Sequence, residues 1–160
     1  MGHIYVAVIH RPTQRIENLM DEYYGGTWDY YNVVDDIMVN KKGKPCSSCR
    51  IKDVNMRMIR KKYHEALLEW DYNVLHLNNG FTGKTYFNPM YYVERYGTRT
   101  NFARQMSTFC TNAVVLPDGT WNELTDWSFE AQNDWHLHFK ERFIDTANPE
   151  WIITTLDVHV

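Results

Sequence analysis

The chain has 160 residues, 44% apolar and 15% aromatic, with 23% charged and a net charge of −3. That suffices for one domain with a sizeable core, over residues 1–160, and lies far from the disordered regime. No apolar run approaches the roughly 18–20 residues of a membrane span, and three cysteines do not make a disulfide framework. The opening MGHIYVAVIHRP has neither a basic leader nor a small-residue cleavage site, so it is expected to be mature structure.

In chain order, Ile4, Val6 and Val8 alternate with Tyr5, Ala7 and Ile9, an apolar strand closed by Arg11-Pro12 and expected to be covered on both faces. Ile16, Leu19, Met20 and Tyr23 stand at helical spacing within 13–24, and Gly25-Gly26 ends that helix. Residues 28–39 are aromatic and β-branched, an extended piece interrupted by Asp35-Asp36. Residues 41–45 are a loop. Over 53–70, Met56, Ile59, Tyr63, Ala66, Leu67 and Trp70 form one helical stripe. Residues 71–101 mix turn signals with tyrosines and predict short helical or irregular pieces. A strand over 109–116, a turn at 117–120 and a partner opened by Trp121 predict a hairpin. Ser128 is placed to cap a helix reaching about Thr146, with Trp135, Phe139 and Phe143 on one stripe, and Asn148-Pro149 stops it. Residues 151–160 are a last apolar strand. This order is an α+β plan: a mixed or antiparallel sheet with the terminal strands central, whether or not they are neighbours, and helices packed on it.

Charge is unevenly spread. Between Lys41 and Lys62 lie nine Lys and Arg against Asp53 alone, a local charge of +8 that leaves −11 for the rest. Such a segment is either a solvated face or a surface for phosphate-bearing ligands, nucleic acid or an acidic protein. Six Trp, eleven Tyr and seven Phe supply rings for a core, for base stacking or for a protein interface.

Few motifs carry chemistry. Cys46 and Cys49 form a CxxC expected in a loop; with Cys110 and His64 it could complete a zinc site, it could be a redox pair, or the spacing is fortuitous. Gly80 to Thr85 reads GFTGKT, but only two residues separate its first glycine from Gly-Lys-Thr, where a phosphate loop needs four. Nucleotide hydrolysis is therefore rejected. His136 and His138, two apart on a predicted helix, face different ways and cannot share a metal. Asp157 and His159 share one strand face, and His10 could join them if the terminal strands are neighbours. That cluster would be a metal site, an acid–base pair or a satisfied polar patch. There is no Gly-x-Ser-x-Gly.

Three segments carry a resemblance: Trp28-Asp29-Tyr30-Tyr31, the run AVVLPDGTW over 113–121, and the ending WIITTLDVHV over 151–160. With these the chain resembles a family of small, largely uncharacterised bacteriophage proteins that combine a WD-aromatic-aromatic segment, an AVV-x-x-DG-x-W hairpin and a C-terminal D-x-H-hydrophobic strand. The family's Gly-Gly-Arg-Trp element is replaced here by Val33-Val34-Asp35-Asp36. The resemblance implies a phage-encoded protein acting in the host cytoplasm, and it brings no activity with it.

The first functional expectation is a non-enzymatic binder that blocks or sequesters a host component, a protein or a nucleotide signal, in a counter-defence role. Trp28, Tyr30, Tyr31 and Trp121 would stack on the ligand, and Arg57, Arg60 and Lys61 would hold its phosphates. One alternative is a nucleic-acid-binding protein using residues 41–62. Another is a metal-dependent hydrolase built on His10, Asp157 and His159. No cofactor is required by the first expectation, and zinc is the ion the Cys pair would take.

Overall fold

A computed structural model describes residues 2–57, 59–75 and 89–160. The fold is α+β, with five helices and a six-stranded mixed sheet among the described residues. The chain divides into two compact units: Met1–Asn55, Phe109–Thr125 and His138–Val160 form one, Met56–Thr108 and Asp126–Leu137 the other.

The first unit holds the sheet. Its strands are β1 (His3–His10), β2 (Tyr30–Val33), β3 (Ser48–Arg50), β4 (Ala113–Val115), β5 (Trp121–Glu123) and β6 (Ile152–His159). The order is β2-β6-β1-β4-β5, with β3 also pairing β6. β1 and β6 are antiparallel along their whole length, His3 facing His159 and His10 facing Ile152. β1 and β4 are parallel, and β4 and β5 are antiparallel. The terminal strands thus lie inside the sheet, as their apolar composition predicts, and they are neighbours. Helix α1 (Ile16–Asp21) lays Leu19 and Met20 on the face carrying Val6, Val8, Ala113, Val115, Leu156 and Val158. The hairpin turn closes through Gly119 N–H donating to Leu116 O, with Gly119 at φ +88°, a conformation that favours glycine.

Two elements differ from their sequence expectation here. The CxxC segment is not all loop: Cys49 lies in β3 opposite Ile153, because the start of β6 offers free backbone groups that β2, pairing only with Leu156–His159, leaves unpaired. Residues 54–57 and 59 are not helical. A short 3-10 turn (Ile51–Asp53) precedes Val54, which bridges Asn40 and is buried with Ile51, so tertiary pairing overrides the helical stripe.

The second unit is helical. α2 (Arg60–Trp70) continues into a π-helical turn (Asp71–Leu75), followed by α3 (Pro89–Tyr96) and α4 (Arg99–Ser107). Ala66, Trp70, Val74, Tyr92, Phe102 and Ala103 form its core. Thr98 caps α4 by accepting from Asn101 N–H. α5 (Phe129–Phe139) has its residues divided between the two units and continues into a second π-helical turn (Lys140–Ile144). Ser128 Oγ accepts from Ala131 N–H at 3.2 Å, the capping role its position predicts. The GFTGKT stretch lies outside the described residues.

Candidate functional site

The side chains of β1 alternate between two environments. Val6 and Val8 enter the core, whereas His3 and Tyr5 lie on the opposite face at its exposed end. Register then assembles a cluster. His3 faces His159, which faces Tyr30; Tyr5 faces Asp157, which faces Asn32. Two rows of polar and aromatic side chains cross β1, β6 and β2 on one face.

The contacts are specific. His3 Nδ1 donates to Asp157 Oδ1 at 2.9 Å, and His159 Nδ1 donates to Asp29 Oδ1 at 2.6 Å. Asp29 also gives its backbone N–H to His159 O at 3.2 Å, so it is tied to that residue twice. Tyr30 stacks on His159 with ring centres 4.7 Å apart and planes 7° from parallel. His3 meets His159 edge-on at 5.1 Å. Carboxylates accepting from both Nδ1 atoms assign the Nδ1–H tautomer to each neutral ring. Asp29 and the Asp157-x-His159 end of β6, from opposite ends of the chain, meet here.

The sequence-predicted cluster is only partly assembled. Asp157 and His159 share a face, but His10 does not join them. Antiparallel pairing of the terminal strands sends His10 to the far end of β1, opposite Ile152, and brings His3 instead. Sequence reasoning missed His3 and Asp29; an antiparallel pairing of the two terminal strands would have singled out His3. His10 is buried in its own chain of hydrogen bonds. Its Nδ1 donates to Arg11 O, its Nε2 accepts from Thr154 Oγ1, and Ser48 Oγ therefore donates to Thr154.

The proposed stacking rings are mostly structural. Trp28 is 9% exposed, packs in the sheet core and donates Nε1–H to Met20 O at 2.8 Å. Tyr31 and Trp121 pack against the same core, Tyr31 on Trp28 and Trp121 on Tyr23. Burial also raises the Tyr31 hydroxyl above its usual pKa, with Glu17 and Asp21 adding to the effect. Of the four, Tyr30 alone is exposed, at 48%. Trp28 is enclosed in the core, whereas Tyr31 and Trp121 are partly buried against it.

Arg57, Arg60 and Lys61 are exposed in the helical unit. Lys61 lies 3.9 Å from Glu65. Elsewhere in the basic run, Arg50 and Lys52 both pair with Glu150 and hold its carboxyl below the usual range, the Lys52 hydrogen bond foremost. Part of the positive charge is thus answered locally. Within the helical unit, Tyr63, Thr100, Asn101 and Arg104 line an open cleft of about 310 Å³.

The proposed zinc ligands are divided between the two units, the three cysteines in the sheet unit and His64 in the helical unit. Cys46, Cys49 and Cys110 are free thiols, and His64 is exposed on α2. Among the described residues no three His, Cys, Asp or Glu side chains come together as a metal site. Burial, then the neighbouring Cys46, pushes the Cys49 thiol up to about 12. A redox pair needs the opposite shift, because the thiolate is the reactive form. Cys49 is expected to react with iodoacetamide at pH 8 at least ~10-fold more slowly than a free thiol. Alkylation followed by peptide mass spectrometry reads this directly, and rapid modification would contradict it.

Comparison with family models, curated proteins and solved structures yields no match. Fold and site define an α+β protein with a mixed sheet that presents a paired Asp–His cluster on one face.

Proposed function

We propose that the chain is a phage-encoded, non-enzymatic binding protein that engages a host protein in the bacterial cytoplasm in a counter-defence role. The phage origin rests on the motif resemblance. The observation that carries the binding reading is the sheet face on which His3, Tyr5 and Tyr30 are exposed beside the partly buried His159, with Tyr5 39% and Tyr30 48% exposed. Tyrosines are common anchors of protein interfaces, since they offer large rigid area at little entropic cost.

The rim supports one partner class over the other. Asp29 and Asp157 border the rings, so the row repels a phosphate backbone and suits a partner surface bearing Lys or Arg. A protein partner is therefore favoured over nucleic acid at this face. A nucleotide ligand would instead use the Tyr63 and Arg104 cleft of the helical unit.

The test compares wild type with the Tyr5→Ala/Tyr30→Ala double variant as baits in host lysate, with a Lys41→Glu/Lys42→Glu variant as control. The expected result is a defined host protein held by wild type and by the lysine variant and lost from the tyrosine variant. Retention of that protein by the tyrosine variant would overturn the reading. So would capture of DNA or RNA alone, with affinity falling steeply in salt by about one log unit per log unit of salt for each neutralised phosphate.

A further inference from the structure

We propose that His3 and His159 form a two-imidazole site for a divalent late first-row transition ion, with Zn2+ as the probe. The site is independent of whether the same face engages a host protein.

The backbone brings the two rings together. Gly2 and Val160 exchange both of their backbone hydrogen bonds, so the next pair, His3 and His159, is a non-hydrogen-bonded pair of the antiparallel ladder. That is the position where facing side chains approach most closely. The ring centres stand 5.1 Å apart with planes at 70°. Two imidazoles sharing one tetrahedral ion have centres roughly 5 Å apart, given Zn–N bonds of about 2.0–2.1 Å.

The second observation is chemical. Each Nδ1 donates to its own carboxylate, His3 to Asp157 and His159 to Asp29. The lone pair of each neutral ring is therefore on Nε2. Among the described residues neither Nε2 has a hydrogen-bond partner. A carboxylate behind a histidine is the usual outer support of a metal-bound imidazole: it fixes the tautomer, aims the ring and raises the basicity of the ligating nitrogen. Here that support occurs twice on directly facing residues. The stacked Tyr30 ring further restrains His159. Nitrogen donors of this kind suit Zn, Cu, Ni and Co, not Mg or Ca. The remaining positions on the ion would be open to water or to a donor from a ligand.

The experiment is a calorimetric titration of ZnCl2 into chelator-treated protein that carries no polyhistidine tag, with the imidazole resonances followed by NMR. Saturable binding of one ion per chain is expected, with the His3 and His159 resonances moving together. His3→Ala and His159→Ala should each abolish it. Asp29→Ala should weaken it by about 10–100-fold, the usual cost of losing an outer-shell partner. A Cys46→Ser/Cys49→Ser variant should bind as wild type does. His3 is half-exposed, so its alanine variant is expected to keep the fold, which a melt without zinc checks. No saturable binding by wild type, binding that survives both histidine variants, or binding lost only with the cysteines would overturn the proposal.

Discussion

Replacing Trp28 by alanine is expected to cost about 3–5 kcal/mol of stability, the range for deleting a buried large aromatic side chain. Trp28 is packed with Leu19, Met20, Leu156 and Val158, and its indole N–H is satisfied by Met20 O. The substitution would open a cavity against α1 and remove one of the donors to that carbonyl, which also accepts from Tyr23 N–H. Tyr30, two residues on, is a surface ring, and Tyr30→Ala should change stability by no more than about 0.5 kcal/mol. Guanidinium unfolding of both variants measures the contrast. Equal small losses would show that the indole is not a core group. The pair also disciplines binding studies: any effect of Trp28→Ala on a partner is inseparable from folding, whereas an effect of Tyr30→Ala is not.

Stability should fall as pH drops from about 6.5 to about 4 because of His136. Burial, with Arg104 and Arg95 adding to it, lowers this imidazole from 6.5 to about 4. Its Nε2 donates to Gln105 O, and its buried Nδ1 has no hydrogen-bond partner. In the unfolded chain the ring takes up a proton below its ordinary value; in the folded chain it refuses one until about pH 4. The folded state is therefore favoured in full above pH 6.5 and loses that advantage on acidification, at about 1.4 kcal/mol per pH unit. The total reaches roughly 3 kcal/mol and levels off below pH 4. His136→Gln should flatten this window while leaving the acidic carboxylates to act below it. Urea midpoints from pH 7 to pH 4 for wild type and variant decide the matter; parallel curves would remove His136 as the cause.

Much of the sheet was legible in the residues. The terminal strands, the 113–123 hairpin and the Ser128 cap follow from alternation, a turn glycine and a capping hydroxyl, all local signals. β3 was not legible, because Ser48–Arg50 has no strand pattern of its own and pairs only because β6 has an open edge there. The start of α2 was misplaced for a related reason. Met56 and Ile59 continue the helical stripe, but Val54 is held by Asn40 in a bridge. At the site, period-2 alternation placed Asp157 and His159 on one face, and it could do no more.

By itself the sequence determined an α+β chain with two apolar terminal strands, a basic run and an Asp-x-His strand face, since these depend on composition and on periods of two and 3.6. Tertiary structure decided the rest. Strand direction chose His3 over His10, and the path of the chain after Gly26 put Asp29 on His159. Packing against α1 drew Trp28 inward and left Tyr30 outside. The reason is physical: adjacent aromatics and alternating strand residues are chemically alike along the chain, and only register and burial across distant segments assign one to the core and its neighbour to the surface.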